Sequence, residues 1–429
     1  MNIVNSKVVC LLLFLVLNGC TGTGGSFSSG NEGNTPEPYQ PWPELDLPEN
    51  IIYRYGCAFI PNPNVPTEEE IRSMATYRSV IIDVELCNHK FIRRFKELNP
   101  NILVGIYINP QDIFIDYYDT RPGQMSIRDY LLTNYDNPET GESFFVYDIE
   151  HVNKQSYFIE WPMYLMNLST NCPRIGGLNY SEYVLNLIVT YVFETNPYAD
   201  QIDFISFDNA IRDYAWMSYF DHVSSLDANW NGINDLEEQT DDPFTSPINV
   251  AWRDGINYIV SGIKDASSVM IIGNQPNDYY PLMSGKQFEG IGQRLPGPAG
   301  FNFGDLTNNP ADVLTIVEDF MLPNNFTYNI IQASRYDKPS LELSETAIVI
   351  AMLNGNNVVA FQFDTFWRPE VALIEPGDAI DSSYTKGVFR VREFQNCWIV
   401  FNTYEIALDI NLNGTNTLIP AYSGKIIEK

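Results

Sequence analysis

Asp203-Phe204-Ile205-Ser206-Phe207-Asp208-Asn209 is a short apolar run closed by a carboxylate and an amide. Runs of this kind suit strands of a parallel sheet, which are buried on both faces and carry polar side chains at their carboxyl ends. The pattern recurs on both sides of it. Strand-like runs stand at Ile51–Phe59, Ser79–Val84, Ile102–Ile108, Val269–Gly273, Gln287–Gly290, Tyr328–Ala333 and Val358–Phe363, which makes eight in all. Between them, helical spacing predicts Thr67–Thr76, Lys90–Leu98, Tyr180–Glu194, Ile248–Lys264, Pro310–Met321 and Ser344–Asn354. The first of these opens with Thr67 and Glu70 in capping-box positions. Strands alternating with helices predict an α/β fold, a (β/α)8 or TIM barrel. Tyr164–Leu168 also reads as a strand, inside a loop-rich connection from Asn109 to Asn179 on the face where such barrels keep their sites. After Gly387 the pattern becomes alternation, in Val388–Phe394, Cys397–Phe401 and Ala407–Leu412 with an Asn413-Gly414 turn. It predicts a small C-terminal antiparallel β module.

The amino end has a different character. Lys7 precedes the apolar run Val8–Leu17, too short to span a bilayer and suited to an export signal. Leu17-Asn18-Gly19-Cys20 resembles the lipobox of bacterial lipoproteins, which implies lipidation of Cys20; an ordinary cleaved secretory signal is the other reading. Residues 21–49 are rich in Gly, Ser, Thr, Asn and Pro and cannot repay the entropy of folding. They read as a tether with a reach of roughly 30 Å. The expected organisation is therefore a signal over 1–19, a tether over 20–49, a barrel over 50–380 and a β module over 381–429. The expected location is the bacterial cell envelope, at the outer membrane or cell surface, with contact to the membrane through the lipid anchor alone.

The 429 residues carry 25 Lys+Arg against 54 Asp+Glu, a formal charge of −29. Such a surface repels phosphate backbones, so nucleic acid is not an expected partner. Cys57, Cys87, Cys172 and Cys397 form no C-x-x-C pair, which leaves disulfides or buried thiols open and gives no thiolate metal site. His89, His151 and His222 lack the H-x-x-x-H spacing of a catalytic zinc site. Hydrolase elbows, phosphate loops and strand-coupled G-x-G-x-x-G motifs are missing as well.

Carboxylates carry the remaining chemistry. On a strand with period-two alternation, Phe204, Ser206 and Asp208 share a face, so Asp208 points to the barrel axis if that face is interior. A helix cap or an Asx turn is the plainer role for the same residue. Glu289, in Gln287-Phe288-Glu289-Gly290, offers a second acid two strands on, or a solvated loop glutamate. Glycoside hydrolysis generally uses two carboxyl groups, about 5–5.5 Å apart for retention and about 6.5–9.5 Å apart for inversion. Asp83, Glu85, Asn109, Asn209, Asn274 and Asp364 follow or end other strands and would ring the same mouth as hydrogen-bonding groups for sugar hydroxyls. Trp161, Trp216 and Trp367 offer flat apolar faces for a pyranose, Trp367 being the one taken as a substrate contact.

Asp227-Ala-Asn229-Trp-Asn231-Gly232-Ile233-Asn-Asp235-Leu-Glu-Glu238 matches a twelve-position calcium loop. Asp227, Asn229, Asn231, Asp235 and Glu238 would give side-chain oxygens and Ile233 its carbonyl, with Gly232 at the turn. The alternative is an Asn/Asp/Gly-rich surface turn, since paired flanking helices are not evident.

These features in this order resemble the hypothetical glycosyl hydrolases grouped with glycoside-hydrolase-like TIM barrels. The matching residues are Phe207-Asp208-Asn209, the Asn/Asp/Gly loop, Ala251-Trp252-Arg253-Asp254-Gly255, Ile272-Gly273-Asn274, Phe288-Glu289-Gly290, Arg392-Glu393-Phe394 and Val400-Phe401-Asn402. The resemblance implies O-glycosyl hydrolysis of an extracellular glycan. A strand-four acid with a strand-six acid also resembles α-galactosidase-like barrels, which implies Asp208 as nucleophile and Glu289 as acid/base. Lys286-Gln287-Phe288 departs from the small residue usual before Glu-Gly, and Cys397-Trp398 from the usual glycine of the tail. A non-catalytic glycan-binding lipoprotein on the same scaffold is the competing expectation.

Overall fold

Eight short strands pair in parallel, side by side, until the last meets the first. The computed structural model describes residues 49–61, 64–114, 129–156, 163–208, 225–237, 245–274, 283–288, 310–315, 317–318, 328–332, 341–354, 357–360, 371 and 373–429. Cys20 and the tether up to residue 48, Asn209, Glu238, Glu289, Asp364 and Trp367 lie outside these residues, as do Trp161, Trp216 and His222.

The barrel strands are β1 Gly56–Ile60, β2 Ser79–Asp83, β3 Leu103–Ile108, β4 Phe204–Phe207, β5 Met270–Asn274, β6 Gly285–Phe288, β7 Asn329–Gln332 and β8 Asn357–Ala360. They close in the order β1-β8-β7-β6-β5-β4-β3-β2. The helices are α1 Ile51–Tyr55, α2 Glu68–Met74, α3 Phe91–Leu98, α4 Tyr180–Ile188, α5 Pro247–Ala266, α6 Pro310–Thr315 and α7 Leu341–Asn354. The TIM-barrel expectation is met.

Both strand faces are covered, which explains the unbroken apolar runs. Cys57, Ile81, Phe204, Ile272, Tyr328, Ile330 and Val358 pack together, with Phe59, Leu103, Tyr107 and Met270 against them. This set fills the barrel. The alternate residues Val80, Ile82, Val104, Ile106, Ile205, Phe207 and Ile271 pack instead with Ile92, Phe95, Val184, Trp252, Ile256 and Ile259 of the helices. Alternation thus assigns every strand position to the interior or to the helical layer.

Local chemistry sets the helix starts. Thr67 Oγ1 accepts from Glu70 N at 3.3 Å while Glu70 Oε2 accepts from Thr67 N at 2.7 Å, the expected capping box. The run Tyr180–Glu194 is helical throughout but widens over Val189–Glu194, where Thr195 N donates to Thr190 O five residues back at 2.9 Å. In α5, Trp252 is fully buried, and a Cβ on Gly255 would lie 1.8 Å from Leu168 O. Glycine there lets the helix rest directly on the insertion backbone.

One expected strand begins differently. Ile51–Tyr55 form a helical turn and only Gly56–Ile60 enter the sheet. Ile51 and Tyr55, one turn apart, pack with residues of α7, and Ile51 N donates to Ile374 O at 3.1 Å, so tertiary contacts override strand propensity. The sixth strand also begins earlier than expected, at Gly285, where a Cβ would meet Tyr328 O at 1.6 Å.

The C-terminal module contains β9 Tyr384–Lys386, β10 Phe389–Glu393, β11 Cys397–Asn402, β12 Leu408–Leu412, β13 Thr415–Ile419 and β14 Gly424–Glu428. β9, β10, β11 and β14 form an antiparallel sheet, and β12–β13 form a hairpin. Asn413 and Gly414 turn that hairpin with φ of 49° and 90°, the two-residue geometry the sequence predicts. The sheet lies on α7, which is buried from Ser344 to Leu353. Gly424 N donates to Thr346 Oγ1 and Ile426 N to Glu345 Oε1, both at 2.9 Å, so side chains of α7 satisfy the open edge of β14.

A Cβ at Gly424 would lie 2.5 Å from Val349 Cβ. Gly424→Ala is therefore expected to cost about 1–3 kcal/mol through overpacking. Denaturant unfolding and proteolysis of the module would register it. Unchanged stability would mean that the sheet and α7 separate easily.

Candidate functional site at the carboxyl ends of the strands

The interior alternation decides which strand-end side chains meet. Ile81 is interior, so Asp83 is too; Phe204 leads through Ser206 to Asp208, Ile272 to Asn274, and Leu103 through Gly105 to Tyr107. Three of the four are brought into contact. Tyr107 Oη donates to Asp208 Oδ2, and Asn274 Nδ2 donates to Asp208 Oδ1 at 2.6 Å. Asp208 N continues the ladder to Ile108 O at 2.9 Å, so the backbone carrying the carboxylate remains tied to β3. The carboxylate is half-buried and held by one neutral donor on each oxygen. Such a group is fixed in direction and keeps lone pairs for a further partner.

Tyr107 is the residue that strand-end reading missed. Its ring meets Phe59 edge-on with centroids 5.4 Å apart, and its direct register neighbours are Asp83 on β2 and Ser206 on β4. The alternation of Leu103, Gly105 and Tyr107 was the available signal, since it places a phenol at the inner end of β3.

Asp83 is fully buried, and neither of its carboxylate oxygens has a hydrogen-bond partner. Asn274 is 2% exposed, with Oδ1 also without a partner. Glu85 goes elsewhere. β2 ends at Asp83 and Val84–Leu86 form a 3-10 turn, which removes Glu85 from the face it was expected to share with Asp83. Burial pushes the Cys87 thiol and the Tyr191 phenol up, with the Glu85 charge adding to both, so Glu85 lies beside those groups on the helical side. Asn109 shapes a turn: its Oδ1 accepts from Gln111 N at 3.2 Å and Asp112 N at 3.3 Å, and its Nδ2 donates to Asp112 Oδ2 at 3.0 Å. The side chain expected at a ligand is taken up there.

Gln287 pairs in register with Asn274 across β5 and β6. Glu289 follows Gln287 by two residues in sequence, outside the described residues, as do Asn209, Asp364 and Trp367.

Two insertions meet beside the strand ends. Asp227 N donates to Tyr147 O at 2.8 Å, Asn167 Nδ2 to Ala228 O at 2.5 Å, and His151 Nε2 lies 2.8 Å from Asp227 Oδ2. Trp230 packs against His151 with ring centroids 4.1 Å apart and the rings tilted by 33°. Within the loop, Asp227 accepts from Asn231 N at 3.0 Å and Gly232 N at 2.8 Å, Asn231 Oδ1 accepts from Ile233 N at 2.7 Å, and Gly232 has φ of 78°. Asn229 Oδ1 accepts from Asn231 N at 3.1 Å, and Asp235 Oδ2 from Ala228 N at 2.6 Å. The chain therefore winds around the Asp227 carboxylate with glycine at the tight turn. No group of three or more His, Cys, Asp or Glu side chains suited to a metal occurs among the described residues. Asn229, Asn231 and the Ile233 carbonyl are oxygen donors outside that count, and they suit a hard cation.

Cys57, Cys87, Cys172 and Cys397 are free and buried. Burial pushes the thiols of Cys57 and Cys172 up to about 12, which leaves them protonated packing groups. Among the described residues no helix is long and apolar enough to cross a membrane.

No family model matches the chain, and no curated protein matches it. Similar solved structures include the glycoside hydrolase domain of PelA from Pseudomonas aeruginosa, at 12% identity and a TM-score of 0.42 over 71% of this chain and 93% of that one. The cycloalternan-degrading enzyme from Trueperella pyogenes is similar at 13% identity and a TM-score of 0.41, over 77% of this chain and 45% of that one. A GH31 dextranase from Flavobacterium johnsoniae, complexed with isomaltotriose, is similar at 7% identity and a TM-score of 0.44, over 89% of this chain and 52% of that one. The chain spans about half the length of the latter two. Of these three, the PelA domain and the GH31 dextranase are named as glycoside hydrolases; this chain's own strand pairing makes it a closed α/β barrel with a C-terminal β module.

Proposed function

We propose that this chain is an exported, lipid-anchored glycoside hydrolase that cleaves O-glycosidic bonds of an extracellular glycan. The observation that carries the reading is the Asp208 carboxylate at the carboxyl end of β4, oriented by Tyr107 and Asn274 from the two neighbouring strands. Asp208 is assigned as the nucleophile and Glu289 as the acid/base partner, with Asp83, Asn209, Asn274, Asp364 and Trp367 as sugar contacts. A carboxylate fixed on both oxygens meets an anomeric carbon without first reorganising, which favours the transition state over the ground state. Cys20 is assigned as the lipidated residue that keeps the domain at the cell envelope.

The test is turnover on a panel of neutral and charged oligosaccharides by the wild-type chain and its Asp208→Asn variant. Hydrolysis by the former alone supports the assignment. Equal hydrolysis by both removes Asp208 from catalysis, and binding without hydrolysis by either selects a glycan-binding protein on the same scaffold.

Calcium is proposed as a structural ion of the 227–238 loop. A ligand that binds only the folded state stabilises it by about 2.7 kcal/mol at a hundredfold excess over Kd. Melting is therefore expected to shift upward in millimolar calcium relative to chelator, and equal melting would contradict the assignment.

A further inference from the structure

Asp83 ends β2 inside the barrel, fully buried, with two carboxylate oxygens that accept from nothing. Asn274 ends β5 with the same inward parity, and its Oδ1 likewise has no donor. Two donors of these strand ends are already assigned: Tyr107, the register neighbour of Asp83, directs its hydroxyl at Asp208, and Asn274 directs its amide there too. What Asp83 and the Asn274 side chain leave over is acceptors. Burying acceptors without donors destabilises a folded chain, most of all when one is a carboxylate, and a donor-bearing ligand relieves that penalty.

We propose that Asp83 and the Asn274 carbonyl form a recognition floor that takes a neutral glycan unit through its free hydroxyls and rejects units carrying carboxylate, sulfate or O-acyl groups at that position. The proposal rests on the glycan-binding part of the reading above and not on hydrolysis. Two adjacent hydroxyls match the two oxygens of one carboxylate. A uronate or a sulfate brings acceptors and negative charge against Asp83, inside a protein whose formal charge is −29. An O-acyl group replaces the needed donor with an acceptor, leaving both sides unpaired.

The experiment measures binding by calorimetry to the full chain carrying Asp208→Asn, with and without Asp83→Ala or Asp83→Asn. The probes are neutral gluco-, galacto-, manno- and xylo-oligosaccharides, their O-acetylated forms, and oligouronates. At least one neutral probe is expected to bind, and Asp83→Ala to weaken it about tenfold or more. Its O-acetylated form and the oligouronates are expected to bind at least about tenfold more weakly, and Asp83→Asn, which supplies a donor, to narrow the gap for the acetylated form. The free Asp83→Ala protein is expected to melt no lower than its parent, because the change removes two buried acceptors that have no donor. A lower melting point with unchanged affinity would make Asp83 a structural residue and overturn the proposal. So would equal binding of uronates, or binding of no neutral probe. If the binding pattern holds while the wild-type chain hydrolyses none of the bound probes, the recognition floor stands and the hydrolase reading falls.

Discussion

Asp208→Asn is expected to lower kcat/KM by roughly 10⁴-fold or more on any glycan the chain hydrolyses, while the fold persists. The amide has the shape of the carboxylate. Its Oδ1 accepts from Asn274 Nδ2 as before, and its Nδ2 donates to Tyr107 Oη once that hydroxyl turns, so both contacts of the wild-type group have replacements. What the amide lacks is the charge and nucleophilicity that glycosyl transfer to the protein requires. The measurement pairs kinetics with thermal melting. Lost turnover at an unchanged melting temperature assigns Asp208 to the chemistry, and lost turnover with a large drop in melting would make it a structural strand-end residue.

Gly105→Ala should be among the more destabilising single substitutions in the barrel. Gly105 is the register partner of Phe204, and a Cβ there would lie 2.1 Å from the Phe204 ring. The ring is fully buried and occupies the space a side chain on β3 would need. Overpacking of this kind costs about 1–3 kcal/mol and at times more, since interior rings have little room to move. Because β3 also carries Tyr107, displacement of the strand is expected to loosen the grip on Asp208 and lower kcat. Denaturant unfolding checks the first expectation, and Phe204→Leu in the same chain should restore part of the loss. A Gly105→Ala protein as stable as its parent would show that the interior is not packed as described.

Much of the fold was legible because parallel strands buried on both faces leave runs such as Val80-Ile81-Ile82 and Ile271-Ile272, which little else in a globular chain requires. The strand at Gly285–Phe288 was the hardest to read. Its residues have little strand propensity, and pairing with β5 and β7 on either side determines it. The helical turn at Ile51–Tyr55 was hidden for the same reason, because an apolar run of that length fits either state until its neighbours are known.

At the site, Asp208 could be read from its place at a strand end, whereas Tyr107 could not be read from any motif. Its role depends on which face of β3 turns inward, a property of the closed sheet. Asp83 and Glu85 looked equivalent in sequence. A turn starting one residue after Asp83 takes Glu85 off the alternation that turns Asp83 into the barrel and leaves it near Tyr191.

The most direct test of the account is a crystal structure of the Asp208→Asn chain with a bound neutral oligosaccharide. The sugar is expected over the carboxyl ends of the strands, its anomeric carbon facing residue 208 at about 3–3.5 Å, and the side-chain amide at position 208 about 5–5.5 Å from the Glu289 carboxyl group, the spacing of a nucleophile and its acid/base partner. A sugar bound elsewhere on the protein, or a Glu289 side chain on another face of the barrel, would contradict it.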